Sequence, residues 1–73
     1  MVDLKNIKEN VYYVHSEYEG DRYIIRGDQY YFIRNGKERC GGNKRNLIDS
    51  FKIENECWRE YIPSNKRKYV HGM

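Results

Sequence analysis

The sequence predicts a mostly β domain: a small curled antiparallel meander of four or five strands, SH3-like or OB-like in its barrel form, with at most one short C-terminal helix. Three observations predict it. Gly27-Asp28 and Asn35-Gly36 punctuate runs of Tyr and Ile at hairpin spacing, and both pairs suit two-residue hairpin turns. Tyr, Ile and Val, which fit a pleated half-buried surface, are plentiful, with eight Tyr in the chain. Ala, the strongest helix former, is absent, as is Thr. At 73 residues and 8.9 kDa the chain has room for one domain. Its hydrophobic share is 38%, so the expected core is small and built from amphipathic rings, without a cofactor-sized cleft.

The elements follow in order. Residues 1–10 are a polar lead-in in which Leu4 and Ile7 suit a short helical turn. From Val11, Tyr12 and Val14 alternate with Tyr13 and His15, so residues 11–18 read as a first strand;. Glu19-Gly20-Asp21 is a turn, and residues 22–26 form a second strand. Gly27-Asp28 places Gly at the first central position, as a type II′ turn requires. Residues 29–34 are a third strand. Asn35-Gly36 suits a type I′ turn, in which both central residues need positive φ. The fourth strand, 37–40, is stopped by Gly41-Gly42.

Asn43–Ser50 reads as a loop or single turn, and Phe51 and Ile53 alternate as in a short strand. Cys57, Trp58, Tyr61 and Ile62 recur at helical spacing, with Asn55 as cap and Pro63 as stop;. That predicts a short helix over 54–62, although a strand plus a 3₁₀ turn fits the same residues. The β domain thus spans 11–62, and 63–73 is expected to be a basic flexible tail.

Two-residue turns set a register. Arg34 pairs with Lys37, Phe32 with Arg39, Tyr31 with Cys40, Ile25 with Tyr30 and Tyr23 with Phe32. One face then carries Tyr23, Ile25, Tyr30 and Phe32 and continues into Arg34, Lys37 and Arg39. The other carries Ile24, Tyr31, Ile33 and Cys40, with Arg22 and Arg26 toward its ends. Because both faces are apolar at their centre, the meander is expected to curl on itself or be covered on both sides.

Formal net charge is +3, from 14 Lys and Arg against 11 Asp and Glu. The distribution is polarised. Residues 1–21 are net acidic through Asp3, Glu9, Glu17, Glu19 and Asp21, whereas Arg34, Lys37, Arg39, Lys44 and Arg45 make residues 34–45 basic. The basic aromatic face formed by Tyr23, Phe32, Arg34, Lys37, Arg39, Lys44 and Arg45 is the candidate surface for single-stranded nucleic acid or a nucleotide, because rings stack bases while guanidinium groups neutralise phosphates. The competing structural role for these rings is the core. Glu17, Glu19, Tyr13 and Trp58 are the candidate contacts with a protein partner, through an acidic–aromatic first strand and the single Trp. A core-anchor role for Trp58 competes here too.

The longest apolar run, Tyr30–Ile33, has four residues, so neither a membrane-spanning helix nor a signal-peptide core is expected. The expected location is the cytoplasm, with Cys40 and Cys57 as free thiols. A zinc site would need both cysteines with His15 and His71, and the close ligand pairs of zinc sites are missing. No metal or other cofactor is therefore expected. The Gly41-Gly42-Asn43-Lys44 stretch lacks phosphate-loop spacing. Catalysis has only scattered Tyr, Arg, Lys and His in the manner of small ribonuclease toxins. The expectation is a non-enzymatic module, with an RNase-like toxin as the third reading.

Val11-Tyr12-Tyr13-Val14, Asp21-Arg22-Tyr23-Ile24-Ile25, Tyr30-Tyr31-Phe32-Ile33-Arg34-Asn35-Gly36 and Ser50-Phe51-Lys52-Ile53 together resemble the small SH3-like accessory proteins that phages encode, over residues 10–62. That resemblance implies a viral accessory protein that binds and inhibits a host protein of defence or transcription, in the host cytoplasm. It implies no particular functional residue.

Overall fold

The computed structural model describes residues 1–62. The expected basic tail, 63–73, lies outside the described residues, as does His71. Five strands form one antiparallel sheet: β1 (Tyr12–His15), β2 (Arg22–Arg26), β3 (Gln29–Arg34), β4 (Lys37–Asn43) and β5 (Trp58–Glu60), ordered β4-β3-β2-β1-β5. The first four are the meander read from the turns. β5 returns from the far end of the chain to pair with β1, through Tyr13–Glu60, Val14–Arg59 and His15–Trp58. β4 and β5 are the two edges, so the sheet is open rather than closed into a barrel.

The register follows the turn chemistry. Asn35 and Gly36 have φ of 53° and 75°, and Gly27 alone is positive in its turn, at 64°. These values fit the I′ and II′ turns. The ladders pair Arg34 with Lys37, Phe32 with Arg39, Ile25 with Tyr30 and Tyr23 with Phe32, as expected. β4 runs three residues beyond the expected stop. Tyr31 faces Cys40 while Tyr30 faces Gly42, leaving Gly41 as the extra residue of a bulge;. The Tyr30 ring occupies the space a Cβ at Gly41 would need, so the missing side chain lets the strand continue. β1 is shorter than its expected 11–18 span. Tyr18 N–H donates to the His15 carbonyl at 3.1 Å and Asp21 N–H to the Tyr18 carbonyl at 3.0 Å, which turns the chain before β2.

Between β4 and β5 the sequence reading is corrected. Residues 44–53 are a helix, α1 (Lys44–Ile53), instead of a loop followed by a strand. Asn43 caps it: its Oδ1 accepts from the Arg45 N–H at 2.8 Å;. Leu47 and Phe51, one turn apart, are its buried residues, while Ile53 is 79% exposed. The apparent Phe51/Ile53 alternation was therefore one buried and one solvated helix position. Of the two readings of 54–62, a helix or a strand with a 3₁₀ turn, the second is found: a 3₁₀ turn (Asn55–Cys57) followed by β5. Trp58 has extended backbone, φ −102° and ψ 145°, and pairing with β1 satisfies its strand where a free helix end would not.

Helix, 3₁₀ turn and lead-in all pack on one side. The core there is Val2, Tyr13, Ile25, Leu47, Phe51 and Trp58, with Ile7, Val11, Tyr23, Tyr30 and Ile48 half-buried against it. Asn55 Nδ2 donates to the Val2 carbonyl at 2.9 Å, and the Tyr13 hydroxyl accepts from the Lys8 N–H at 3.0 Å. These bonds pin residues 1–10 over the sheet. The second apolar face expected to need a cover receives no element among the described residues.

Gly41→Ala should lower stability by about 1–3 kcal/mol, the range for overpacking, because the Tyr30 ring must move. Gly20→Ala, with nothing within 4 Å of the added methyl, should stay within about 0.5 kcal/mol of wild type. Urea melts of the two variants, compared with wild type, check the bulge.

Candidate binding surfaces

The uncovered face is built from alternate residues of all five strands. Val14 and Ile24 are buried and Ile33 half-buried along its centre. What hides them is a layer of long side chains rather than a helix, since Arg stems and Tyr rings can cover apolar surface while keeping polar ends wet. The Arg22 guanidinium carbon lies 5.6 Å from the Tyr12 ring centroid and 5.2 Å from that of Tyr61. Arg26 lies 5.5 Å from the Tyr31 ring and donates to Glu38 Oε2 at 2.7 Å. Tyr31 Oη donates to Gln29 Oε1 at 3.1 Å. Val14, His15, Glu19, Arg59, Glu60, Tyr61 and Ile62 line a shallow hollow beside β1 and β5.

The sequence-derived basic face divides in two. Phe32, Arg34, Lys37 and Arg39, with Asn35, line a depression at the Asn35-Gly36 end, and Arg34 lies 5.0 Å from the Phe32 ring. Lys44 and Arg45 sit at the other end of the β3–β4 ladder, where Lys44 N–H donates to the Asp28 carbonyl at 2.9 Å, so they do not join that cluster. Tyr23 and Tyr30 are half-buried against the core, with ring centroids 6.4 Å apart. Tyr23 is also 5.0 Å from Trp58. They are packing residues with one accessible edge, whereas Phe32 remains at the rim.

Of the four candidate protein contacts, Glu17 and Glu19 are exposed on the β1–β2 connection. Tyr13 and Trp58 are core residues, 1% and 4% exposed. The Trp58 indole N–H donates to Ser50 Oγ at 3.2 Å, which satisfies its only donor and ties β5 to α1. A partner cannot reach either ring, so both are corrected from contact to core.

His15, Glu54 and Cys57 bring ligand atoms within 4.8 Å of one another. The hydrogen bonds argue against a metal there. His15 Nδ1 accepts the Glu17 N–H at 3.0 Å, which leaves the ring proton on Nε2, facing Glu54 Oε1 at 3.3 Å;. A cation at Nε2 would force that proton onto Nδ1, against the Glu17 donor. The cluster instead fastens β1 to the end of α1. Cys40 and Cys57 are free thiols.

Sequence reasoning assigned Arg22 and Arg26 to the uncovered face but missed Tyr12 and Tyr61 as their partners. For Tyr61 the sequence leaves helix and strand both open. Its strand-like position opposite Tyr12, where Tyr61 N–H donates to the Tyr12 carbonyl at 2.8 Å, depends on a pairing between chain ends that no local pattern encodes.

Asp21 is buried beside Arg34. Arg34 donates to both its oxygens, at 2.7–3.2 Å, and these bonds hold the Asp21 carboxyl below its ordinary value of 3.8, against the opposing effect of burial. Burial, reinforced by the Asp21 charge, raises the Tyr23 hydroxyl above 10.0. Part of the Arg34 charge is therefore already spent on the fold. A depressed folded carboxyl contributes stability above pH 3.8, and that contribution disappears as pH falls through the folded value. Asp21→Asn should thus melt below wild type at pH 7, and the gap should close toward pH 2. Thermal melts across pH 2–7 check it, and a gap independent of pH would mean the pair does not stabilise the fold.

No protein-family model matches this chain, and neither a curated protein nor a solved structure matches it.

Proposed function

We propose that this chain is a non-enzymatic binding module that recognises a partner protein with the uncovered face of its sheet. One observation carries the reading: helix, 3₁₀ turn and lead-in all seal the same side, so among the described residues the apolar strip Val14, Ile24 and Ile33 is roofed by side chains alone, chiefly those of Tyr and Arg. Tyr and Arg are the residue types that most often anchor interfaces, since they bring large area and several donors. The resemblance to phage accessory proteins supports the setting, a viral protein that inhibits a host protein of defence or transcription in the host cytoplasm. Glu17 and Glu19, near the hollow, would contribute to partner choice and association rate.

Immobilised wild type, Tyr31→Ala, Arg26→Glu and Lys52→Glu can be compared for retention of bacterial proteins. Lys52 lies on α1, away from the uncovered face. The expected result is a protein retained by wild type and Lys52→Glu, lost with both face variants, and inhibited when the chain is added to it. Wild type and all three variants should melt cooperatively. Retention that does not distinguish the face variants from Lys52→Glu would place the contact elsewhere.

A second reading, single-stranded nucleic acid or a nucleotide at the basic depression, is favoured by the gathering of Phe32, Lys37 and Arg39 in one concavity. Affinity for oligo(dT) should then fall with salt at a log–log slope of about −0.7 per phosphate contact, and Arg39→Ala should flatten the slope by about that amount. Failure of wild type to bind at low salt ends this reading.

A further inference from the structure

Arg22 differs from the two paired guanidinium groups of the sheet. Arg26 is paired with Glu38 at 2.7 Å and Arg34 with Asp21 at 2.7 Å. Arg22 meets no carboxylate at ion-pair distance among the described residues, and residues 63–73 contain no Asp or Glu. Yet it is held half-buried by two rings from distant parts of the chain, Tyr12 of β1 and Tyr61 just past β5. Ring quadrupoles attract its charge but leave the N–H fork unsatisfied. A guanidinium already fixed in place loses little side-chain entropy when an oxyanion arrives.

Resting on the binding-module reading, we infer that Arg22 is a carboxylate clamp and that the uncovered face docks an acidic, apolar-rich peptide segment of the partner protein. The charge on this face fits such a segment better than a nucleic acid. Arg26 is neutralised by Glu38, which leaves Arg22 and Arg59, among the described residues, as the cations facing a ligand. Arg59 stands opposite Val14, so apolar surface separates the two. A phosphate backbone wants a continuous track of cations, whereas two isolated cations on either side of an apolar strip suit spaced carboxylates with apolar side chains between them. The rings also count against bases, because Tyr12, Tyr31 and Tyr61 each already have a guanidinium against them. The hollow over Val14, walled by Tyr61 and Ile62, takes an apolar side chain. Glu19 on its rim repels a carboxylate there and directs the acid to Arg22.

The test is selection from a random dodecapeptide library displayed on a solid support, with wild type, Arg22→Gln, Arg22→Lys and Tyr31→Ala as baits of matched melting behaviour. Wild type should enrich peptides in which Asp or Glu neighbours Leu, Phe or Tyr. An enriched peptide synthesised with Glu replaced by Gln should bind about 10- to 100-fold more weakly, the range for losing a charged hydrogen bond. Arg22→Gln should lose the same factor for the acidic peptide and nothing for the Gln version. Arg22→Lys should recover only part, since an ammonium lacks the planar fork. Enrichment of acidic peptides that is unchanged by Arg22→Gln overturns the clamp. So does enrichment of non-acidic peptides that still depend on Tyr31, but that result leaves the binding-module reading standing. Enrichment no greater for wild type than for Tyr31→Ala overturns both. A single-stranded oligonucleotide that displaces the acidic peptide and itself depends on Arg22 would assign the face to nucleic acid and overturn the inference. A dimer of the chain dissolved by Arg22→Gln would assign the face to a second copy, with the same consequence.

Discussion

The aromatic contact between α1 and the sheet is the interaction on which the rest of the structure depends. Phe51 is fully buried, with its ring 4.9 Å from Tyr13 and 4.9 Å from Trp58. Trp58 in turn meets His15 edge-on at 4.9 Å and Tyr23 at 5.0 Å. Edge and tilted geometries at these distances are the favourable ones for ring pairs. A chain with no Ala and few large aliphatic residues fills its interior with rings, and rings carry polar tips that must be satisfied. The Tyr13 hydroxyl and Trp58 indole meet this need through Lys8 and Ser50. Those bonds recruit the lead-in and the helix to the same side, so the cluster that makes the core also decides which face stays uncovered.

How far the sequence was legible depends on the range of each interaction. The hairpins are local: Asn35-Gly36 and Gly27-Asp28 set their own φ values, and counting from the turns gives four ladder pairs for the first, up to the Gly41 bulge, and five for the second. The face assignment of Ile24, Tyr31, Ile33, Arg22 and Arg26 came from the same arithmetic. What failed was decided at a distance. The Leu47–Phe51 spacing and the Asn43 cap were readable helix signals, but Phe51-Lys52-Ile53 also matched a strand pattern. Only the presence of a sheet face to bury against favours one over the other. β5 is shorter still. Its three residues have no propensity that would outweigh a helical reading, and their pairing partner lies more than forty positions earlier in the chain.

The candidate site shows the same division. Glu17 and Glu19 are exposed, as their place in a charged connection suggested, whereas Tyr13 and Trp58 were legible as large rings but not as buried ones. A small domain draws its core from the same residue types that anchor interfaces, so residue type alone cannot sort them. Topology does: Tyr13 faces Phe51, while its neighbour Tyr12 faces the other way and meets Arg22. One position of register separates core from surface.

That alternation also explains why the uncovered face is chemically different from the covered one. On the covered side, Arg34 and Asp21 close a pair that fastens the hairpin to the β1–β2 connection, and the carboxyl bears the pH dependence. On the uncovered side the apolar strip is too narrow to leave bare and has no helix to bury it. Long amphipathic side chains resolve the conflict, because their stems cover Val14 and Ile24 while their ends stay in water. On the proposed reading, a partner would displace water from the Tyr and Arg ends and keep the stems where they are, so that little of the contact free energy would go into arranging the surface. Within that roof Arg26 already has its carboxylate in Glu38, and Arg22, held between rings with its fork open, does not. The difference between those two arginines gives an otherwise uniform Tyr–Arg surface a direction, with one end closed by its own acid and the other open to an acid supplied from outside.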